Sequence, residues 1–150
     1  MKGNGIVDLE ALAKDVTDET ALVSVMHVNN ETGVIQPIEE VAKIAHDKGA
    51  YFHVDGVQSF GKLPLYPETL GIDLLTISGH KICGPKGVGA LYLRKGVKIQ
   101  ALLHGGHQEK NIRPGTENVA AIVGLGKAAE LLGENSQTEL LRIRVLRDRL

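Results

Sequence analysis

Apolar residues fall along this chain in two rhythms, one helical and one of short continuous runs, and turn residues separate them. Leu9, Leu12, Ala13 and Val16 recur at helical spacing behind Asp8, which is placed to cap the segment. The valine-rich run Ala21 to Val28 ends at Asn29-Asn30-Glu31 and predicts a buried strand. Pro37 opens a second helix that runs through Ala45 to Lys48, and Gly49 stops it. Three more strands are predicted: Tyr51 to Val54, Ile72 to Ile77 ending at Ser78, and Val88 to Leu93 after the turn Gly84-Pro85-Lys86-Gly87. Helical periodicity returns from Val119 to Leu132, and a further helix starts at Glu139 and continues to Leu150.

This order of strands and helices predicts an α/β domain with a mainly parallel sheet. No internal repeat, low-complexity tract or linker divides it. In such sheets ligands sit at the carboxyl ends of the strands. Asn29-Asn30, Asp55 and Ser78-Gly79-His80-Lys81 each follow a predicted strand, so the polar residues gather where a pocket is expected. Both ends read as interior to a longer chain: a helix opens with no strand before it, and Leu150 falls inside an uncapped helical pattern.

Composition narrows the function classes. The 150 residues are 43% hydrophobic and 23% charged, as in a soluble globular domain. A formal net charge of −1 supplies no basic field, which argues against nucleic acid or a membrane surface as partner. Arg142, Arg144, Arg147 and Arg149 alternate with leucine and aspartate and read as a solvated helix face. A single cysteine, Cys83, rules out an internal disulfide, and no signal peptide or membrane-length apolar run is visible, so the expected compartment is the cytoplasm.

The chemistry concentrates in two segments, His53-Val54-Asp55-Gly56-Val57-Gln58 and Ser78-Gly79-His80-Lys81. A lysine, a carboxylate, an amide, a hydroxyl and an imidazole at strand ends can hold a pyridine aldehyde such as pyridoxal phosphate by each of its polar corners. Lys81 is the amine for the Schiff base, in surroundings expected to desolvate it partly and leave it nucleophilic. Asp55 can pair with the ring nitrogen and Gln58 with the phenolic oxygen, and Ser78 and His80 can reach the phosphate. Plainer readings compete: an exposed lysine in a glycine-rich turn, and an aspartate that only caps a turn. Gly79 to Lys86 is no magnesium-nucleotide loop, because Pro85 interrupts it and Gly87 stands where a hydroxyl is required. His104-Gly105-Gly106-His107 lacks the further ligands a zinc site needs, so no metal is expected. Arg113-Pro114-Gly115-Thr116 suits an anion or a plain turn. Nothing but the nearby Lys86 lowers the thiol of Cys83, which is set aside as a nucleophile.

Taken in order, Met26-His27-Val28-Asn29-Asn30-Glu31-Thr32-Gly33, His53 to Ser59, Gly61-Lys62-Leu63-Pro64, Ser78 to Lys81, His104 to Glu109 and Arg113 to Asn118 closely resemble the cysteine desulfurases. These are class V, fold type I pyridoxal-phosphate enzymes, and the likeness runs over nearly the whole chain. It implies a three-layer α/β/α fold, with residues 1–150 as part of the large, cofactor-binding domain and with the N-terminal part and the small C-terminal domain absent. It implies Lys81 as the catalytic lysine and Asn30, Asp55, Gln58, Ser78, His80 and Thr116 along the cofactor, Thr116 reaching the partner subunit's phosphate across a homodimer. The implied reaction converts L-cysteine to L-alanine and leaves a persulfide on a cysteine, for a sulfur acceptor or an iron–sulfur scaffold protein. The loop bearing that cysteine has no counterpart here, so the isolated chain is expected to be inactive. A selenocysteine lyase or another class V enzyme such as an aminotransferase shares the same core. A non-catalytic fragment that binds cofactor or dimerises is the alternative of another kind.

Overall fold

The structure is a computed structural model that describes residues 3–150, except for the side chains of residues 134–137. Helix α1 (Leu9–Asp15) starts where Asp8 accepts hydrogen bonds from the amides of Glu10 and Ala11, at 3.1 and 3.2 Å. Strand β1 (Leu22–Met26) leads through α2 (Ile38–Asp47) to β2 (Tyr51–Asp55), then to β3 (Leu74–Ser78) and β4 (Gly89–Leu93). The sheet order is β1-β2-β3-β4, with β1, β2 and β3 parallel and β4 antiparallel on the edge. Pro37 stands one position earlier than expected, as the cap residue before α2. Gly49 (φ +73°) takes the left-handed position that ends α2, with its amide bonded to the carbonyl of His46 and that of Ala50 to Ala45.

Strand register sorts the side chains into two faces. Val23, Phe52, Val54 and Leu75 share one face and are buried with Val41, Ala42 and Ala45 of α2, Val16 and Ile72. Burying these aliphatic and aromatic groups contributes about 1.5–3 kcal/mol for each large side chain. The other face carries Ser24, His53, Asp55 and Thr76, all short of full burial.

One fully buried carboxylate ties the layers together. Asp73, just before β3, accepts from the Phe52 amide at 2.7 Å, pairs with His46 of α2 at 2.9 Å and binds the Arg94 guanidinium beyond β4. Burial alone opposes its charge. The Phe52 amide, His46 and Arg94 together outweigh that and hold the carboxyl below its usual value of 3.8.

The C-terminal region departs from expectation. In place of helices over Val119 to Leu132 and from Glu139, one helix runs unbroken over Val119–Arg147. No proline lies between Leu132 and Glu139, and the one glycine there, Gly133, costs a helix only about 1 kcal/mol. Among the described residues no helix is long and apolar enough to cross a membrane.

Candidate active site

The parallel register brings the carboxyl ends of three strands level. Met26 pairs with Asp55, and Asp55 with Thr76; β3 continues to Ser78 and passes into a 3-10 turn, Gly79–Ile82, that carries His80 and Lys81. Asp55, Ser78, His80 and Lys81 are therefore gathered at one edge of the sheet. Gly56 follows Asp55 closely: its amide donates to the Thr76 carbonyl at 3.0 Å, and a Cβ there would stand 2.6 Å from Leu75 Cδ1. The Val57 amide donates to Asp55 Oδ1 at 2.9 Å, which fixes the carboxylate plane. Among the described residues nothing is bonded to Oδ2, so this oxygen is free for a ligand donor.

Ser78 Oγ and His80 Nδ1 lie 2.8 Å apart, so hydroxyl and imidazole orient each other. The turn beneath them is tight. The Gly79 amide donates to Val88 and its carbonyl accepts from Gly84, each at 2.9 Å, and Cys83 closes the turn in the left-handed region (φ 63°). A Cβ at Gly79 would sit 3.0 Å from the Pro85 carbonyl oxygen and 3.0 Å from Val88 Cγ1. Gly79→Ala is accordingly expected to lower the free energy of unfolding by about 1–3 kcal/mol, read as an earlier urea midpoint. An unchanged midpoint would show that the turn has slack.

Lys81 is exposed, unlike the partly desolvated amine expected from its apolar flanks, because Ile77 and Ile82 turn inward and leave it at the mouth. It lines a groove of about 450 Å³ together with Phe60, Lys62, Cys83, Leu131 and Leu132. Gln58 is half-buried in the turn after β2, where its carbonyl accepts from Lys62 Nζ at 3.2 Å. Asn30 is exposed beyond β1. Its neighbour Asn29 builds the turn, accepting from the amides of Glu31 and Thr32 at 2.9 Å each.

Thr116 is exposed on the segment joining β4 to the long helix, and no described hydrogen bond links it to the strand-end residues. That segment is strained. Glu109, Lys110 and Asn111 are successive left-handed residues (φ 45°, 57° and 66°), a conformation costing roughly 1–2 kcal/mol per residue. His107 Nδ1 to Asn111 Oδ1 at 2.6 Å and the Gly115 amide to Gln108 Oε1 at 3.1 Å hold it.

Two histidines that the sequence motifs contain carry no assigned role there. His27 is buried beside a second groove, and its Nδ1 has no partner among the described residues; burial pushes its pKa down. His53 bridges Ser24 Oγ (2.7 Å to Nδ1) and Thr76 Oγ1 (3.4 Å to Nε2), below Asp55. Among the described residues no group of three or more His, Cys, Asp and Glu could hold a metal ion.

An open, mainly parallel sheet with its polar groups at the strand ends is an architecture shared with the fold type I large domain. The family model for class-V aminotransferases matches residues 1–144, and the chain belongs to that family. It is 55% identical over all 150 residues to a cysteine desulfurase of Trichormus azollae, and spans 38% of that protein's length. Among solved structures, a NifS-like protein superposes with a TM-score of 0.92 at 46% identity, over 97% of this chain and 40% of that one. SspA, solved in complex with cysteine, superposes at 0.80 with 42% identity, over 85% of this chain and 37% of that one.

Proposed function

We propose that residues 1–150 are part of the large domain of a pyridoxal-phosphate-dependent cysteine desulfurase. The observation that carries this reading is the level register that gathers Asp55, Ser78, His80 and Lys81 at one sheet edge. Their chemistry fits the cofactor. The free Oδ2 of Asp55 accepts from a protonated ring nitrogen, and the Ser78–His80 pair offers a hydroxyl and an imidazole to a phosphate. Gln58 offers its amide to the phenolic oxygen, and Asn30 lies alongside. Lys81 presents a primary amine to the aldehyde carbon and later holds or passes a proton.

Bound there, the cofactor supplies an electron sink for the substrate's α-carbon. The protein's part is to keep that ring oriented and its nitrogen protonated. The relatives' names and the cysteine bound by SspA support L-cysteine as substrate. The overall change balances as L-cysteine plus a thiol giving L-alanine plus a persulfide: the cysteine carbon–sulfur bond breaks, a sulfur–sulfur bond forms, and the proton moves to carbon. The accepting thiol, the homodimer in which Thr116 reaches the partner subunit's phosphate, and delivery to an iron–sulfur scaffold or other acceptor belong to the whole protein. The cytoplasm is the proposed compartment.

The test is to add pyridoxal phosphate to the protein, reduce with borohydride and map the modified peptide. A visible absorption band from bound cofactor, with a stable pyridoxyl adduct on Lys81, is expected. Adducts scattered over the surface lysines, with no band, would overturn the reading.

A further inference from the structure

The Ser24–His53–Thr76 bridge has no role in the site as described above. His53 and Asp55 are two apart on β2, so their side chains leave the same face of the sheet. Register sets Ser24 of β1 beside His53, and Thr76 of β3 beside Asp55 and diagonal to His53. The imidazole thus joins three parallel strands immediately below the carboxylate. Both its partners are hydroxyls, which donate or accept as the ring requires. Leu22, Ser24 and Met26 from β1, Tyr51 and Asp55 from β2, and Leu74, Thr76 and Ser78 from β3 share this face. Gly89, Leu91 and Leu93 of β4 pair beside the β3 residues on it; Asp55 is the one charged group among these strand residues, and His80 and Lys81 follow in the turn after β3.

We propose that His53 is a positioning residue for Asp55: a bridge that fixes the three strand ends and places no cation on the strand face beside the carboxylate. The proposal rests on the reading that Asp55 pairs with a pyridinium nitrogen. A cation at position 53 competes for Asp55 and repels the ring nitrogen's proton, so selectivity for a ring able to carry that proton falls. Burial, the larger influence, pushes the His53 pKa below 6.5 against the opposing pull of Asp55, in keeping with a neutral ring at neutral pH.

The experiment compares the affinity of the protein for pyridoxal phosphate with that for the analogue in which C–H replaces the ring nitrogen. Damage to the fold weakens both ligands alike, so the ratio isolates the charge effect. The wild type is expected to prefer the pyridine. His53→Gln keeps an uncharged hydrogen-bonding group and should keep the preference, whereas His53→Arg should reduce it by about tenfold or more. Should the arginine variant not fold, protonation of His53 makes the same comparison: on lowering the pH through the range below 6.5, the ratio should fall in the wild type relative to His53→Gln. An unchanged ratio in His53→Arg, equal losses in both variants, or parallel pH profiles for wild type and His53→Gln would overturn the proposal. A wild type that binds both rings equally, or neither, would overturn the Asp55 reading itself, and the proposal with it.

Discussion

Lys81→Ala is expected to abolish the borohydride-stable adduct while leaving residual, non-covalent binding of pyridoxal phosphate. The reason is a division of labour at the sheet edge. On the proposed reading Asp55, Ser78 and His80 would hold the ring and phosphate by charge and hydrogen bonds, whereas only a primary amine can bond the aldehyde carbon. Lys62 lines the groove beside Lys81, a groove that Asp55, Ser78 and His80 do not line, and is the internal competitor. Its ammonium donates to the Gln58 carbonyl at 3.2 Å, which holds it against the turn after β2. Lys62→Ala should therefore leave the adduct in place. Lys81→Arg keeps the positive charge but offers no free amine, so it should behave like alanine in the reduction assay. Mass spectrometry of the reduced protein decides the matter. Undiminished adduct in Lys81→Ala, or its loss in Lys62→Ala, would move the reactive amine elsewhere.

The elements were legible because their boundary signals are local. Asp8 caps α1 through its own side chain, Gly49 ends α2 in a left-handed conformation, and the strand runs stop at turn residues. The strand-end rule placed Asp55, Ser78 and Lys81 together without knowledge of any contact between them. The polar residues between Leu132 and Glu139 interrupt the apolar periodicity that marks a helix, yet helix propensity tolerates the same composition without a break. The antiparallel sense of β4 follows from the short link between Ser78 and Gly89, too short for a parallel crossover. Register was the quantity no local signal carried. Without it the Ser24–His53–Thr76 bridge is invisible, since each residue read alone is an ordinary polar position in a strand. The strand-end rule reaches Asn30 as well, whereas the cofactor roles of Asn30 and of Thr116 across a dimer rest on resemblance.

Asp73 is the second case in which register and tertiary contact outrun the sequence, and it carries the largest expected effect on stability. Between Ile72 and Leu74 it reads as a strand entry, but its partners lie on α2, β2 and beyond β4. Asp73→Ala leaves the Phe52 amide unpaired in the core and removes the counter-charge of Arg94. A loss of about 3 kcal/mol is expected, a large part of the roughly 5–15 kcal/mol that domains possess. Asp73→Asn keeps an acceptor for the amide and should lose less. The pH dependence gives an independent check. Because the folded-state pKa is lowered, the ionised group's stabilisation is complete above the ordinary value of 3.8 and is lost as pH falls below it through the folded value. Urea unfolding followed into that acid range should show the wild type losing its advantage over Asp73→Asn there. A constant gap between the two proteins across the range would mean that the carboxylate's charge contributes nothing, and that Asp73 serves the fold only as a hydrogen-bond acceptor.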